Sequence, residues 1–454
     1  MDFRSRVGRG FPPVGGTTPW RGAAALAGAG VFVGSFDLGS ISIALRPLAT
    51  QWHLSTLLVT TLGTVTLVGM VIGSLGTGML TDRIGRRKVL VVDLLAFVVS
   101  GAIGALAPDY GVLVVCRLVT GIAIGTDFAV VFPYVAEIAP GNRGGRAMAW
   151  IMWSANFGVL LSYGTGAIFL AVSTQGWRFE LGLGAALALP LVALRRRIGE
   201  SRRWEREHLT SWRQIVRHTA DEARQGSLVT MATNWFLYQV SDQGLTLLLP
   251  LIVATVLTRS AANGALGATL VKAVTIPAAL LTVLLIGRLG YRPLQLAGFA
   301  GRGVALGVLG VLLLVTTHLP VAVGMTLLGA AFFFGAAGPD KTIVIAPALA
   351  YPTTMRASGQ GLSEAAGRIG GIVGVTGYGI LAGAVGPGAG VLLFAGTCLL
   401  GAVLTLVHRD RALRPTADGE PGGPGPARPA ATRPEPAGSP GSAAATPTTA
   451  HPAR

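Results

Sequence analysis

The sequence predicts an all-α membrane protein of twelve transmembrane helices in two pseudo-symmetric six-helix bundles, and three observations lead there. Of 454 residues only 12% are charged and 51% are hydrophobic, with a mean hydropathy of +0.61; soluble domains are about 25% charged. The apolar residues come in long blocks, not one-sided stripes. The longest polar interruption, Arg195 to Gly226, divides those blocks six and six.

The twelve blocks lie near 22–46, 56–80, 88–107, 111–136, 146–172, 177–195, 227–257, 264–287, 294–316, 320–348, 359–384 and 388–407. Each is long enough for the roughly 30 Å hydrocarbon core of a bilayer. The organisation that follows is a cytosolic N-terminal segment (1–21), a first bundle (22–197), a cytosolic central loop (198–226), a second bundle (227–408) and a disordered tail (409–454). The tail holds ten of the 26 prolines together with Ala, Gly, Ser and Thr, too little apolar surface to fold. In the central loop, Trp204, His208, Trp212 and Ile215 have the spacing of a short amphipathic helix on the inner membrane surface; a solvated linker fits equally well. Gly69-x-x-x-Gly73 and Gly121-x-x-x-Gly125 read as packing contacts between helices.

Charge placement gives the orientation. With residue 1 in the cytosol, the inside segments hold 28 Lys and Arg, whereas the outside connections hold Arg178 and Arg259. That is the positive-inside pattern, and it puts both termini in the cytoplasm; the cell's inner (plasma) membrane is the expected location. The net charge of +16 is therefore topological. Nucleic acid is not expected as a partner, because the bases are spread over the inside segments by topology. The first apolar run is read as a retained helix, not a signal peptide. Cys116 and Cys398 both fall inside apolar blocks, so no disulfide framework is implied.

Between the second and third blocks stands GMLTDRIGRRKVL, 78 to 90, one acid and four bases in a short seam. The segment recurs: Arg83, Gly85 and Arg87 reappear 205 residues later as Arg288, Gly290 and Arg292, again between the second and third helices of a half. Pro140 with Arg143 is echoed by Pro352 with Arg356. Bundles repeated in this way, with the substrate site between them, are typical of secondary transporters. The glycine suits a tight turn, the bases hold the loop inside, and Asp82 suits the positive end of a neighbouring helix.

Gly78-x-Leu80-x-Asp82-Arg83-x-Gly85-Arg86-Arg87 resembles the signature of the major facilitator superfamily. YVAEIAP (134–140) and GESRRWE (199–205) are similar to sugar-porter sequences. GIAIGTDFAVV (121–131) and the stretch from Gly338 resemble the proton symporters of phosphate and organic metabolites. The resemblance implies alternating access, with a gate in which Asp82 meets helix 11. That gate would include Gly78, Arg83, Gly85, Arg86, Arg87, Glu137, Arg143, Glu200 and Arg203. It leaves open whether Arg143 or Arg146 pairs with Glu137.

Charges inside the blocks need reasons, since each costs about 3 kcal/mol at mid-membrane. Asp37 lies about 15 residues into the first block, near mid-depth, where burial suits a proton carrier or an ion-paired acid. Arg117 heads an Arg-x-x-x-Gly pattern associated by the resemblance with proton coupling. Asp127, the third proton-coupling candidate, aligns with an acid of the phosphate symporters; ten residues along the helix, it is too far from Arg117 to pair with it. In the second half Gln239, Asp242, Asp340, Lys341, Glu364 and Arg368 are the substrate-binding candidates. Gln239 stands where the phosphate symporters have an acid, which weighs against phosphate. Glu364 and Arg368 are spaced to pair on one helical face; an unpaired guanidinium there would hold an anion. Lys272 is free to snorkel.

No Gly-Lys dipeptide exists, so there is no phosphate-binding loop for ATP. No histidine lies in a block core, so no metal is expected, and the driving force is a proton gradient. The expected function is proton-coupled symport of a small polar organic metabolite, an organic anion or a sugar-like molecule, by a monomer in the lipid bilayer. Proton antiport that exports a drug-like or secondary metabolite uses the same residues and stays open. An enzyme is not expected.

Overall fold

The computed structural model describes residues 19–407 except 141–142, 208–212, 215–216, 218–219, 221–226, 254–260, 317–318 and 351–352. The tail, most of the amphipathic segment (His208, Trp212 and Ile215) and Pro352 lie outside the described residues. The first bundle is α1 (Trp20–Gln51), α2 (Thr56–Ile84), α3 (Arg86–Ala105), α4 (Tyr110–Ile138), α5 (Arg143–Val172) and α6 (Gly176–Arg195). A short α7 (Arg202–Glu207) follows. The second bundle is α8 (Ser227–Ile252), α9 (Ala261–Ala273), α10 (Thr275–Leu289), α11 (Tyr291–Val315), α12 (Val321–Ala337), α13 (Pro339–Ala350), α14 (Arg356–Ala384) and α15 (Pro387–Val407).

Among the described residues, eleven stretches are long and apolar enough to cross a membrane. The more polar α8 completes the twelve. Two blocks expected to be continuous are broken. The eighth divides at Val274, because Pro277 has no N–H to give the Ala273 carbonyl. The tenth divides at Gly338, just before Pro339, whose ring packs onto Gly298 of α11. Each of these spans is therefore two helices, α9–α10 and α12–α13.

The two bundles repeat one packing scheme. α1 runs along α5 as α8 runs along α14; α3 packs on α6 as α11 packs on α15. Across the divide α2 lies on α14, and α5 lies on α9 and α10, so corresponding helices meet in reciprocal fashion. The repeated turns are alike as well. Gly85 and Gly290 have φ of 103° and 77°, which an L side chain adopts only with strain. Arg87 donates to the Arg196 carbonyl at 2.6 Å, and Arg292 to those of Thr405 and Leu406 at 3.1 and 2.7 Å. In both halves an arginine after the turn thus satisfies carbonyls that the sixth helix leaves open at its end.

Gly69 and Gly73 of α2 face Gly121 and Gly125 of α4, close enough that any added Cβ would overlap a facing backbone. Gly121→Leu and Gly125→Leu should each force these helices apart. Overpacking costs about 1–3 kcal/mol, so the thermal unfolding midpoint in detergent is expected to fall clearly below that of Gly164→Leu, a position with open space beside it.

Candidate functional site

Among the described residues, four groups of buried and half-buried polar residues occur where the helices converge. The first lies at the face carrying the α2–α3 turn, the basic face. Asp82, at the end of α2, is fully buried, and its carboxylate accepts bonds from the Ser358 amide (2.8 Å), the Ser358 hydroxyl (2.6 Å) and the Ala357 amide (3.4 Å). These belong to the first turn of α14, where unpaired amides and the helix dipole favour an anion. Gly78 packs directly on the Ala357 carbonyl and on Gly361.

Arg86 stands 2.9 Å from both Asp82 and Glu137, and Glu137 also lies 3.7 Å from Arg356 at the start of α14. The expected Glu137 contact with Arg143 or Arg146 is not formed. Both are exposed on the first turn of α5, whereas Glu137 turns inward to Arg86 and Arg356. Glu200 caps α3, accepting from the Arg86 and Arg87 amides at 3.0 and 3.1 Å. Burial pushes its carboxyl above the usual carboxylate range, against the pull of those amides. Trp204 donates to the Asp82 carbonyl at 2.7 Å, which ties α7 to the same seam. Arg83 and Arg203 are exposed.

The second group is inside the first bundle, nearer the opposite face. Arg117 donates to Asp37 at 2.7 Å, both essentially buried, so Asp37 is an ion-paired acid. Glu180 of α6 is close by, 1% exposed, and accepts only hydroxyl bonds, from Ser40 and Thr165, both at 3.1 Å. The third group surrounds Asp127, which pairs with Arg195 of α6 at 2.7 Å. Asp93 of α3 shares that guanidinium at 3.4 Å.

The fourth group lines the divide and the second bundle. Asp340 bridges Lys341 (2.6 Å) and Asn156 of α5 (3.2 Å). Arg368 pairs with Glu364 at 3.2 Å, as the spacing implied, and its guanidinium lies 4.8 Å from the Phe128 ring of α4. Trp235 donates to Glu364 at 3.3 Å. Gln239 is buried beside Gly367 on the same helical contact. Asp242, by contrast, pairs with Arg302 of α11 at 3.2 Å and accepts from Tyr238 at 3.1 Å, within its own bundle. Lys272 does not snorkel; it donates to Thr246 at 3.3 Å over the Phe332 ring. At the face opposite the basic one, the bundles meet through Ser42 and Tyr163, which donate to the Leu247 and Thr246 carbonyls at 2.8 and 2.6 Å.

Asp93, Glu180 and Arg302 were missed by sequence reasoning. Each is a charge inside an apolar block, and that signal could have found them. Arg195 looked like the first residue of a polar loop, and only the fold turns it inward. Asn156, Trp235 and Ser358 gave no signal.

Hydrogen bonds to charged groups contribute about 1.5–3 kcal/mol each, so Asp82→Asn should loosen the α2–α14 seam. A cysteine placed at buried Ala357 is expected to react with a polar maleimide at least tenfold faster in that background. Ser358→Ala should add little on top, because both changes remove the same contacts.

A family model described as "Sugar (and other) transporter" matches residues 44–211 and 205–408. The protein YwtG of Bacillus subtilis (strain 168) is 28% identical over 392 residues, covering 79% of this chain and 85% of YwtG. The galactose-proton symporter of Escherichia coli (strain K12) is 25% identical over 348 residues, 68% of this chain and 74% of that one. In backbone, the proton:xylose symporter XylE of E. coli, solved with 6-bromo-6-deoxy-D-glucose, superposes with a TM-score of 0.72 at 19% identity, over 85% of this chain and 94% of XylE. Family match and fold agree: the chain belongs to the Sugar (and other) transporter family and is a membrane transporter of the major facilitator superfamily, not an enzyme.

Proposed function

We propose that the protein moves a small polar organic metabolite, an organic anion or a sugar-like molecule, together with protons by alternating access. The observation that carries this reading is the line of polar groups where the bundles meet, Asn156–Asp340–Lys341 and Trp235–Glu364–Arg368 with Gln239 alongside. Arg368 stacks on a ring of the opposite bundle, so a ligand between the bundles has a guanidinium within reach. A carboxylate or a set of hydroxyls would compete with Glu364 for it.

For coupling, Asp37 is held by Arg117 when ionised. A proton taken up by Asp37 would cancel that attraction and free Arg117, which gives protonation a structural consequence. The names of two relatives, a galactose-proton symporter and a proton:xylose symporter, support coupling and a hydroxyl-rich ligand. The Asp82–Arg86–Glu137–Arg356 seam serves as the cytosolic gate, closed in this conformation, with Gly78, Gly85, Arg87 and Glu200 shaping it. Arg83, Arg143 and Arg203, exposed on the same face, act as the cytosolic charge anchor.

Purified protein should first be screened by thermal shift against monosaccharides and mono- and dicarboxylates. A ligand at 100 times its Kd stabilises by about 2.7 kcal/mol. With the hit in proteoliposomes, Asp37→Asn should abolish accumulation driven by a pH gradient and retain exchange. Unchanged gradient dependence would remove Asp37 from the mechanism. Arg368→Ala is expected to weaken the hit's affinity by roughly 10- to 100-fold if it is an anion, following the cost of a charged hydrogen bond. An unaltered affinity overturns the assignment of Arg368 as a ligand.

A further inference from the structure

Arg195 closes α6, yet its guanidinium is fully buried among α1, α3, α4 and α6. It has five N–H groups, and the structure supplies five acceptors. Nε donates to the Leu26 carbonyl at 3.3 Å. One terminal nitrogen donates to the Leu90 carbonyl (2.8 Å) and Asp93 Oδ1 (3.4 Å); the other donates to the Ala27 carbonyl (2.6 Å) and stands 2.7 Å from Asp127 Oδ1. Gly30 of α1 covers the group so closely that an added Cβ would overlap both Arg195 and Asp127 Oδ2.

Four of these contacts are hydrogen bonds; the fifth, to Asp127 Oδ1, is an ion pair outside hydrogen-bond geometry. Asp93 Oδ2 and both carboxylate oxygens of Asp127 are buried with no hydrogen bond from the protein. The two carboxyl groups sit side by side on the two terminal nitrogens of one guanidinium, 3.4 and 2.7 Å away. Two ionised carboxylates are both acceptors and cannot bond to each other. They also repel strongly where water is excluded. With one guanidinium the ionised cluster carries a net charge of −1 between four helices. One added proton brings it to zero and gives the unbonded oxygens of the two carboxyls a hydrogen to share. The facing charged groups are Asp93 from α3, Asp127 from α4 and Arg195 from α6; α1 contributes only the Leu26 and Ala27 carbonyls and Gly30.

We propose that Asp93 and Asp127 bind a single proton between them, forming a protonation site in the first bundle separate from the Asp37–Arg117 pair. Asp127 is ten residues from Arg117, about 15 Å along α4 toward the basic face. Among the described residues, the other paired aspartates of the membrane region do not share a base with a second aspartate: Asp37 with Arg117, Asp242 with Arg302 and Asp340 with Lys341. Asp82 shares Arg86 with Glu137, which has Arg356 as a second base, so only Asp93 and Asp127 are two acids on one base.

The test is infrared difference spectroscopy of the full chain in detergent between pH 5.5 and 9, with and without carbon-13 in the aspartate carboxyl. The expected result is a protonated-carboxyl band that shifts with the label. It should be retained in Asp37→Asn and lost in both Asp93→Asn and Asp127→Asn, because the proton belongs to the pair. A band that survives either of those two substitutions, or that is lost in Asp37→Asn, overturns the proposal. So does the lack of any label-sensitive band in the wild type, which decides the matter even if an Asn variant fails to fold. The measurement uses no substrate and no gradient, so its failure leaves the coupling reading at Asp37 standing.

Discussion

The contact on which the closed arrangement rests is a carboxylate buried at a helix N-terminus. Asp82 ends α2 and lies over the first turn of α14, the one place where backbone amides have no partners of their own. A carboxylate there would be costly to bury alone. Arg86 neutralises it and holds Glu137 on its other side, and Glu137 in turn reaches Arg356 on α14. The chain of charges acid–base–acid–base thus crosses from one bundle to the other within a dry seam. Glycines at 78 and 361 let the backbones approach closely enough for these bonds to form.

The repeat explains what is shared and what is not. Both halves use a left-handed glycine after the second helix and an arginine that seals the sixth. Only the first half has the acid, since Gly287 stands where Asp82 would recur. The seam is therefore one-sided. At the opposite face the bundles are joined by neutral hydroxyl-to-carbonyl bonds from Ser42 and Tyr163. A charged, dipole-assisted contact and a neutral one differ in strength by roughly twofold. The structure thus holds its basic face with charged contacts and the other with neutral ones.

Buried charge is distributed with similar economy. Most intramembrane ions occur as one-to-one pairs, which keeps their desolvation offset by a near partner. Three departures stand out among the described residues: Lys272 with a hydroxyl and an aromatic ring, Glu180 with hydroxyl partners, and Asp93–Asp127 with one base between two acids. The three acids are in the first bundle. A group without its own counter-charge is the kind that protons can occupy.

Twelve spans, the two halves and the repeated turn were legible in the sequence, because membrane thickness and the charge rule act on local composition. The Glu364–Arg368 pair was legible too, since i, i+4 spacing puts both on one face of any helix. The Asp82 contact with the eleventh span was expected from resemblance and is formed. Partners set by three-dimensional convergence were not legible. Glu137 chose Arg86 and Arg356 over nearby Arg143 because the end of α4 turns its side chain into the seam. Asp127 found Arg195, 68 positions away, because four helices cross there and Gly30 leaves the room. Asp242 proved to serve its own bundle through Arg302. Local composition thus determined which segments cross the membrane, while the tertiary structure alone decided which buried charges compensate one another, since compensation depends on distance in space and not along the chain.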